Sequence, residues 1–140
     1  MPSSSKALEE SISQQLDDYI SDFNKGDFDK AATNYLEPAV TLSASSVSIL
    51  SNRQDLADML SSAVTRLRKD GFDHSEYVGP KKIIILDDKG LALASCATKR
   101  LRKDGTSCEE FTATYTLRRT DESGWLIAAI HSHPIDSQLK

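Results

Sequence analysis

The sequence predicts an α+β domain in which helices pack on one face of a curved antiparallel sheet. Three observations carry that expectation. Apolar residues recur at helical spacing through much of the first half of the chain, and the second half breaks into runs of strand-forming residues. Those later runs are joined by "DDKG", "KDGT" and "TDESG", short stretches with the composition of hairpin turns. A length of 140 residues suits one domain.

Residues 1–7 read as a disordered lead. Leu8, Ile12, Leu16, Tyr19, Ile20 and Phe23 then share one face of a first amphipathic helix. "NKGD" at 24–27 stops it, Gly26 suiting the C-terminal side and Asp27 able to cap a second, short helix. That helix carries Phe28, Ala31, Ala32 and Tyr35 on one face, and Pro38 is expected to end it. Residues 39–51, "AVTLSASSVSILS", read as two short strands around a central Ser pair. Ser51 with Gln54 has the form of a capping box and opens a third helix, with Leu56, Leu60, Ala63, Val64 and Leu67 inward. "RKDG" closes it, Gly71 being the stop. Residues 72–86 form one strand run dented at Gly79-Pro80, bulged or at an edge. Residues 91–101, 108–119 and 125–133 form three more strands, and 135–140 a tail.

The hairpins imply a register. A two-residue turn at Asp104-Gly105 sets Lys99 opposite Glu110, Arg100 opposite Glu109, Cys96 opposite Ala113 and Cys108 opposite Leu101. The two thiols are then too far apart along the ladder to join. In the last hairpin, Phe111, Ala113, Tyr115 and Leu117 share a face, as do Trp125, Ile127 and Ala129. Burying both sets together requires "TDESG" as a five-residue loop, because a slip of one residue turns one set outward. Three rows then cross the inner face: Ala94, Tyr115 and Ala129; Cys96, Ala113 and His131; Thr98, Phe111 and His133. Thr112, Thr114 and Thr116 fall on the opposite face, open to solvent or to a partner sheet.

Composition excludes some classes. A net charge of −4 offers no basic face for nucleic acid. The charge runs at 66–70 and 99–104 sit among acidic neighbours and read as solvated surface. No apolar run approaches a membrane span and no apolar leader is visible, so a cytoplasmic protein is expected. Cys96 and Cys108 fit a reducing compartment and match no zinc spacing.

The stretches "LDDYISDFNKGDFDKAATNYLEPAVTL" and "FTATYTLRRTDESGWLIAAIHSHP" resemble the nuclear transport factor 2-like superfamily, which includes the SnoaL-like polyketide cyclases and ketosteroid isomerases. The likeness runs over residues 8–134. It implies a cone: three helices against a highly curved mixed sheet, a pocket inside, and homodimers paired through the outer sheet face. It also implies positions for chemistry. Tyr19 resembles an oxyanion tyrosine, His131 matches the histidine of an Asp/His pair, and Asp22 or Asp73 would supply the carboxylate. The position of the isomerase base falls at Ser43, which carries no carboxylate.

The residues themselves leave two functions open. One is a pocket that binds a small, largely apolar molecule, with metal-free acid/base chemistry of isomerase, cyclase or dehydratase type carried by His131 and Tyr19. Tyr35, Cys96, Thr98, Phe111, Tyr115, Trp125 and His133 would line it. The other is a non-enzymatic dimerisation or ligand-sensing module in which the same side chains are packing. No cofactor or metal is expected: a histidine pair at i, i+2 needs a third ligand, for which only His74, Glu109 or Glu110 are available.

Overall fold

The computed structural model describes residues 5–121 and 124–140. Helix α1 (Ser5–Asn24) buries the predicted stripe of Leu8, Ile12, Leu16, Tyr19 and Phe23. It takes in residues 5–7 of the expected lead, and residues 1–4 lie outside the described residues. Gly26, at φ +76°, ends it by a turn from Phe23 O to Gly26 N of 3.1 Å. Asn24 docks that end on the sheet, its side chain exchanging hydrogen bonds of 2.9 and 2.8 Å with the Ser75 backbone. Asp27 accepts from Lys30 N and caps α2 (Phe28–Ala32), the role anticipated for it.

Two local expectations fail in this region. Tyr35 is not on α2 but opens strand β1 (Tyr35–Leu42), and Pro38 lies within that strand rather than ending the helix. The helix stops earlier because Thr33 and Asn34 turn back on it: Thr33 Oγ1 donates to Lys30 O at 2.6 Å and Asn34 Nδ2 to Ala31 O at 3.0 Å. Pro38, which lacks an N–H, sits where the β1 ladder is irregular, between Tyr35 and Val40. Strand β2 (Val47–Leu50) pairs back on β1, so residues 39–51 do hold two strands, the first of them starting earlier than expected. Helix α3 (Arg53–Arg68) is capped not by Ser51 but by Asn52, whose Oδ1 accepts from Asp55 N at 2.9 Å. Gln54, freed from the proposed box, donates to Asp58. Leu56, Ala57, Leu60 and Val64 are buried; Ala63 and Leu67 are half-buried.

The run at 72–86 is two strands, β3 (Phe72–Tyr77) and β4 (Lys82–Asp87), split by the Gly79-Pro80 corner. Both pair with the long strand β5 (Leu91–Arg102): β4 along its first half, β3 along its second. Strands β6 (Ser107–Thr120) and β7 (Gly124–His133) complete a seven-stranded sheet in the order β2-β1-β7-β6-β5-β3. The β1–β7 pair is parallel and the others are antiparallel, so the sheet is mixed. It curves around the helices to give the expected α+β cone.

In the β5–β6 hairpin, Lys99 faces Glu110, Arg100 faces Glu109 and Cys96 faces Ala113, as the charges predict. The turn differs. Arg102 N donates to Thr106 O and Gly105, at φ +89°, carries the reversal, so the loop holds three residues. The surplus is absorbed at Cys108, which bulges out of the ladder, and Leu101 faces Ser107 instead.

The β6–β7 hairpin decides the site. From Thr120 opposite Gly124 to Leu117 opposite Ile127 the register is the predicted one; Glu122 and Ser123 of its loop lie outside the described residues. Trp125 and Ile127 therefore join Leu117 and Tyr115 on the inner side, all buried. Beyond Ile127 the ladder skips Ala128, and Ala129 pairs with Thr116. This bulge reverses the parity of every later residue. Ile130 and Ser132 turn inward, opposite Tyr115 and Ala113, while Ala129, His131 and His133 turn outward, opposite Thr116, Thr114 and Thr112. The three inner rows expected to end on Ala129, His131 and His133 are thereby corrected.

The chain then folds back over part of the outer face. A single 3-10 turn spans Ile135–Ser137. Thr112 Oγ1 donates to Pro134 O at 2.9 Å, and Gln138 Nε2 to Ser95 O at 2.7 Å. Thr112 and Ser95 are thus fully covered rather than open to solvent. Among the described residues no helix is long and apolar enough to cross a membrane.

Candidate functional site

The concave side of the sheet and two helices enclose a cavity of about 190 Å³. One stripe of α1 supplies Tyr19, Ile20 and Phe23, and α3 supplies Met59, Leu60 and Ala63. Alternation along the strands brings in Ser75 and Tyr77 of β3, Thr98 and Arg100 of β5, and Tyr115 of β6. Tyr35 and Thr41 come from β1, and Ile130 and Ser132 from β7 past its bulge.

All four tyrosines of the chain meet here. They form two hydroxyl pairs. Tyr35 donates to the Tyr19 oxygen at 2.8 Å, and the Tyr77 and Tyr115 oxygens are also 2.8 Å apart. The rings meet edge to face: Tyr19 with Tyr35 at 5.4 Å between centroids, Tyr19 with Tyr115 at 6.4 Å, Tyr77 with Tyr115 at 6.5 Å. Because Tyr35 is the hydrogen-bond donor to Tyr19, the Tyr19 hydroxyl is free to donate onward.

Arg100 is the charged member of the lining. Its Nε donates to Glu109 Oε1 at 2.7 Å and its Nη1 to Ser75 Oγ at 3.3 Å. The guanidinium also lies 5.4 Å from the centre of the Phe23 ring and 5.0 Å from that of Phe111.

Of the residues expected at the site, Tyr19, Tyr35, Thr98 and Tyr115 line the cavity. Trp125 is core, opposite Arg119 at the far end of β7. Phe111 reaches the site only through its stack on Arg100. Cys96 is buried and burial pushes its thiol up to about 12, so it is a small neutral hydrophobe and no nucleophile. His131 and His133 lie on the other side of the sheet. The Nε2 atoms lie 3.3 Å from Thr116 Oγ1 for His131 and 2.6 Å from Thr114 Oγ1 for His133, and His133 Nδ1 meets Ser137 Oγ at 2.6 Å. The cause is the extra residue Ala128. Asp22 pairs with Lys30 and Asp73 with His74, so neither meets His131. Among the described residues no group of three His, Cys, Asp or Glu could hold a metal ion.

Arg100, Tyr77, Ser75 and Ser132 were not anticipated. The alternation that sends Cys96 and Thr98 inward also sends Arg100 inward, a signal masked by its pairing with Glu109. Nothing in the sequence marks Ser132, whose orientation is set by the bulge.

Burial is the leading cause that raises all four phenols, and it raises Tyr35, Tyr77 and Tyr115 well above the ordinary 10.0. At neutral pH these groups are therefore donors and not bases. Each is protonated in both folded and unfolded chains at neutral pH, so their contribution to stability is complete below pH 10.0 and is lost as pH rises toward the folded values. Alkaline titration should show phenolate absorbance appearing together with loss of near-ultraviolet circular dichroism. Phenolate formed in a chain that is still folded, near pH 10.0, would contradict the burial.

The sequence model of one family, described as NTF2-like protein (DUF6841), matches residues 9–135. No curated protein matches. Among solved structures, the chain is similar to an NTF2-like protein with a cystatin-like fold from Novosphingobium aromaticivorans (17% identity, TM-score 0.70, 92% of this chain and 82% of that one). It is also similar to a domain of unknown function with a cystatin-like fold from Nostoc punctiforme (20% identity, TM-score 0.70, covering 91% and 76%). A third is a protein from Catenulispora acidiphila in complex with S-DNPA (16% identity, TM-score 0.68, covering 91% and 94%). At these identities the structures share the fold alone, whereas the family match spans nearly the whole chain: this protein belongs to the NTF2-like family designated DUF6841.

Proposed function

We propose that this protein binds a small, largely apolar molecule inside the cone and holds it by hydrogen bonds from tyrosine hydroxyls. The convergence of all four tyrosines on one cavity carries the reading. Rings and aliphatic side chains make most of the wall, and a few polar groups converge on it, the usual form of a small-molecule site. The cavity size suits a one-ring ligand. Among the described residues its lining includes no imidazole and no carboxylate, and its phenols are held protonated. That supports binding or sensing rather than proton abstraction, with Tyr19 as donor to a ligand oxygen. The Catenulispora acidiphila protein, solved in complex with S-DNPA, is in keeping with a ligand-binding fold.

The test is a thermal-shift screen with uncharged one-ring amides, ketones and phenols, on the parent and on Ala63→Trp, which fills the cavity from α3. At a concentration about ten times Kd, linkage adds about 1.4 kcal/mol, roughly 4 °C for a domain of this size. Hits should stabilise the parent and leave Ala63→Trp unshifted. Equal stabilisation of both would place binding elsewhere.

A second reading concerns assembly. The outer face keeps Val47 and Ile49 of β2 at 62% and 71% exposure. They continue, row by row, into Leu42 and Val40 of β1 and His131 and Ala129 of β7. An apolar edge of this kind favours a second copy of the chain as its cover, the non-enzymatic dimerisation option. Sedimentation at micromolar concentration should give a dimer, and Ile49→Glu should give a folded monomer. A monomeric parent would refute it.

A further inference from the structure

The polar lining of the cavity is hydroxylic except at one point, the guanidinium of Arg100. That group is fastened from several directions. Glu109 takes Nε, Ser75 meets Nη1, and the rings of Phe23 and Phe111 lie at 5.4 and 5.0 Å. The Arg100 side chain is 20% exposed, whereas Glu109, its counter-ion, is 49% exposed and stands toward water. Water therefore screens the carboxylate more than the guanidinium, and the cavity keeps a positive bias. The same charge reaches Tyr19 and Tyr35, where it opposes the upward push of burial on both phenols.

This bias, resting on the binding reading above, deepens it. We infer that Arg100 determines the specificity of the cavity and that its ligand is a monoanion, an aromatic or aliphatic carboxylate. The carboxylate would sit at the Arg100 and Ser75 end, and the apolar body against Phe23, Leu60 and Ile130. A guanidinium presents several donors in a plane and matches the two oxygens of a carboxylate, and the packing of Arg100 fixes that plane before the ligand arrives. Arg100 is already paired with Glu109, so the residual bias suits a single carboxylate better than a phosphate dianion. A cationic ligand would meet the like charge of Arg100 at that end of the cavity.

The experiment uses three probes of nearly one shape: phenylacetate, phenylacetamide and phenethylamine, carrying negative, zero and positive charge. Affinities are measured by calorimetry for the full chain, Arg100→Met and Arg100→Lys. The parent should bind phenylacetate at least about tenfold more tightly than phenylacetamide, and phenethylamine most weakly. Arg100→Met should bring the acid-to-amide affinity ratio to about one, and Arg100→Lys should keep part of the preference. Should Arg100→Met fail to fold, the parent ratio and Arg100→Lys decide alone. An amide bound as tightly as the acid by the parent, or a preference that survives in Arg100→Met, overturns the anion anchor while the cavity still binds. Binding of none of the three overturns the binding reading together with it.

Discussion

One unpaired residue in β7 sets the chemistry of this protein. Up to Ile127 the strand is in phase with β6, and the tryptophan end of the hairpin packs into the core. At Ala128 the phase reverses, and the second half of the strand presents the other set of side chains to the cavity. Without the bulge, Ile130, which is partly buried, would leave the wall, forfeiting a fraction of the roughly 1.5–3 kcal/mol that full burial of such a side chain brings. His131 and His133 would enter it instead, each a polar ring that costs about 1–3 kcal/mol when left without partners. With the bulge the aliphatic and hydroxyl side chains face the aromatic interior, and both imidazoles find threonine hydroxyls on the outside. The energetic preference and the observed register agree.

The interior that results is unusual in its composition more than its shape. Tyrosines fill it, and each finds its polar partner in another tyrosine. Among the described residues no buried side-chain nitrogen or oxygen lacks a hydrogen bond. Such a wall is stable while empty, yet its hydroxyls can rotate to serve a ligand oxygen. Arg100 is tolerated for a similar reason: Glu109, Ser75 and two phenylalanine rings compensate a charge that would otherwise be costly to hold there. The fold is shared with distant structures of low identity, so the proposed binding is argued from these lining residues and not from the fold.

Most of the architecture was legible in the sequence, for identifiable reasons. The stripe of α1 and the opposed charges of Lys99, Arg100, Glu109 and Glu110 each state one solution strongly. Local chemistry misled where two signals competed. Asn52 outranked Ser51 as a cap, and Tyr35 satisfied the apolar face of a helix while its backbone belonged to β1. At the site, Thr98 and Tyr115 follow from strand alternation and Tyr19 from the helical stripe, whereas Tyr35 reaches the cavity from β1 and not from the helix expected to carry it. His131 was misplaced because a bulge leaves no mark in composition: "LIAAIHSH" reads equally well in either phase, and the small alanines at 128 and 129 accept both. Arg100 was read as surface because its ion pair to Glu109 is visible in the sequence and its burial is not.

The phase reversal is also what places Ser132 and Ile130, rather than a histidine, against the tyrosines. Nuclear Overhauser contacts in the protein in solution test it most directly. The account predicts contacts from the Ile130 methyl groups to the Tyr115 ring, and from the His131 ring to the methyl of Thr116. Contacts between the His131 and Tyr115 rings, with Ile130 reporting only outer-face neighbours, would contradict it.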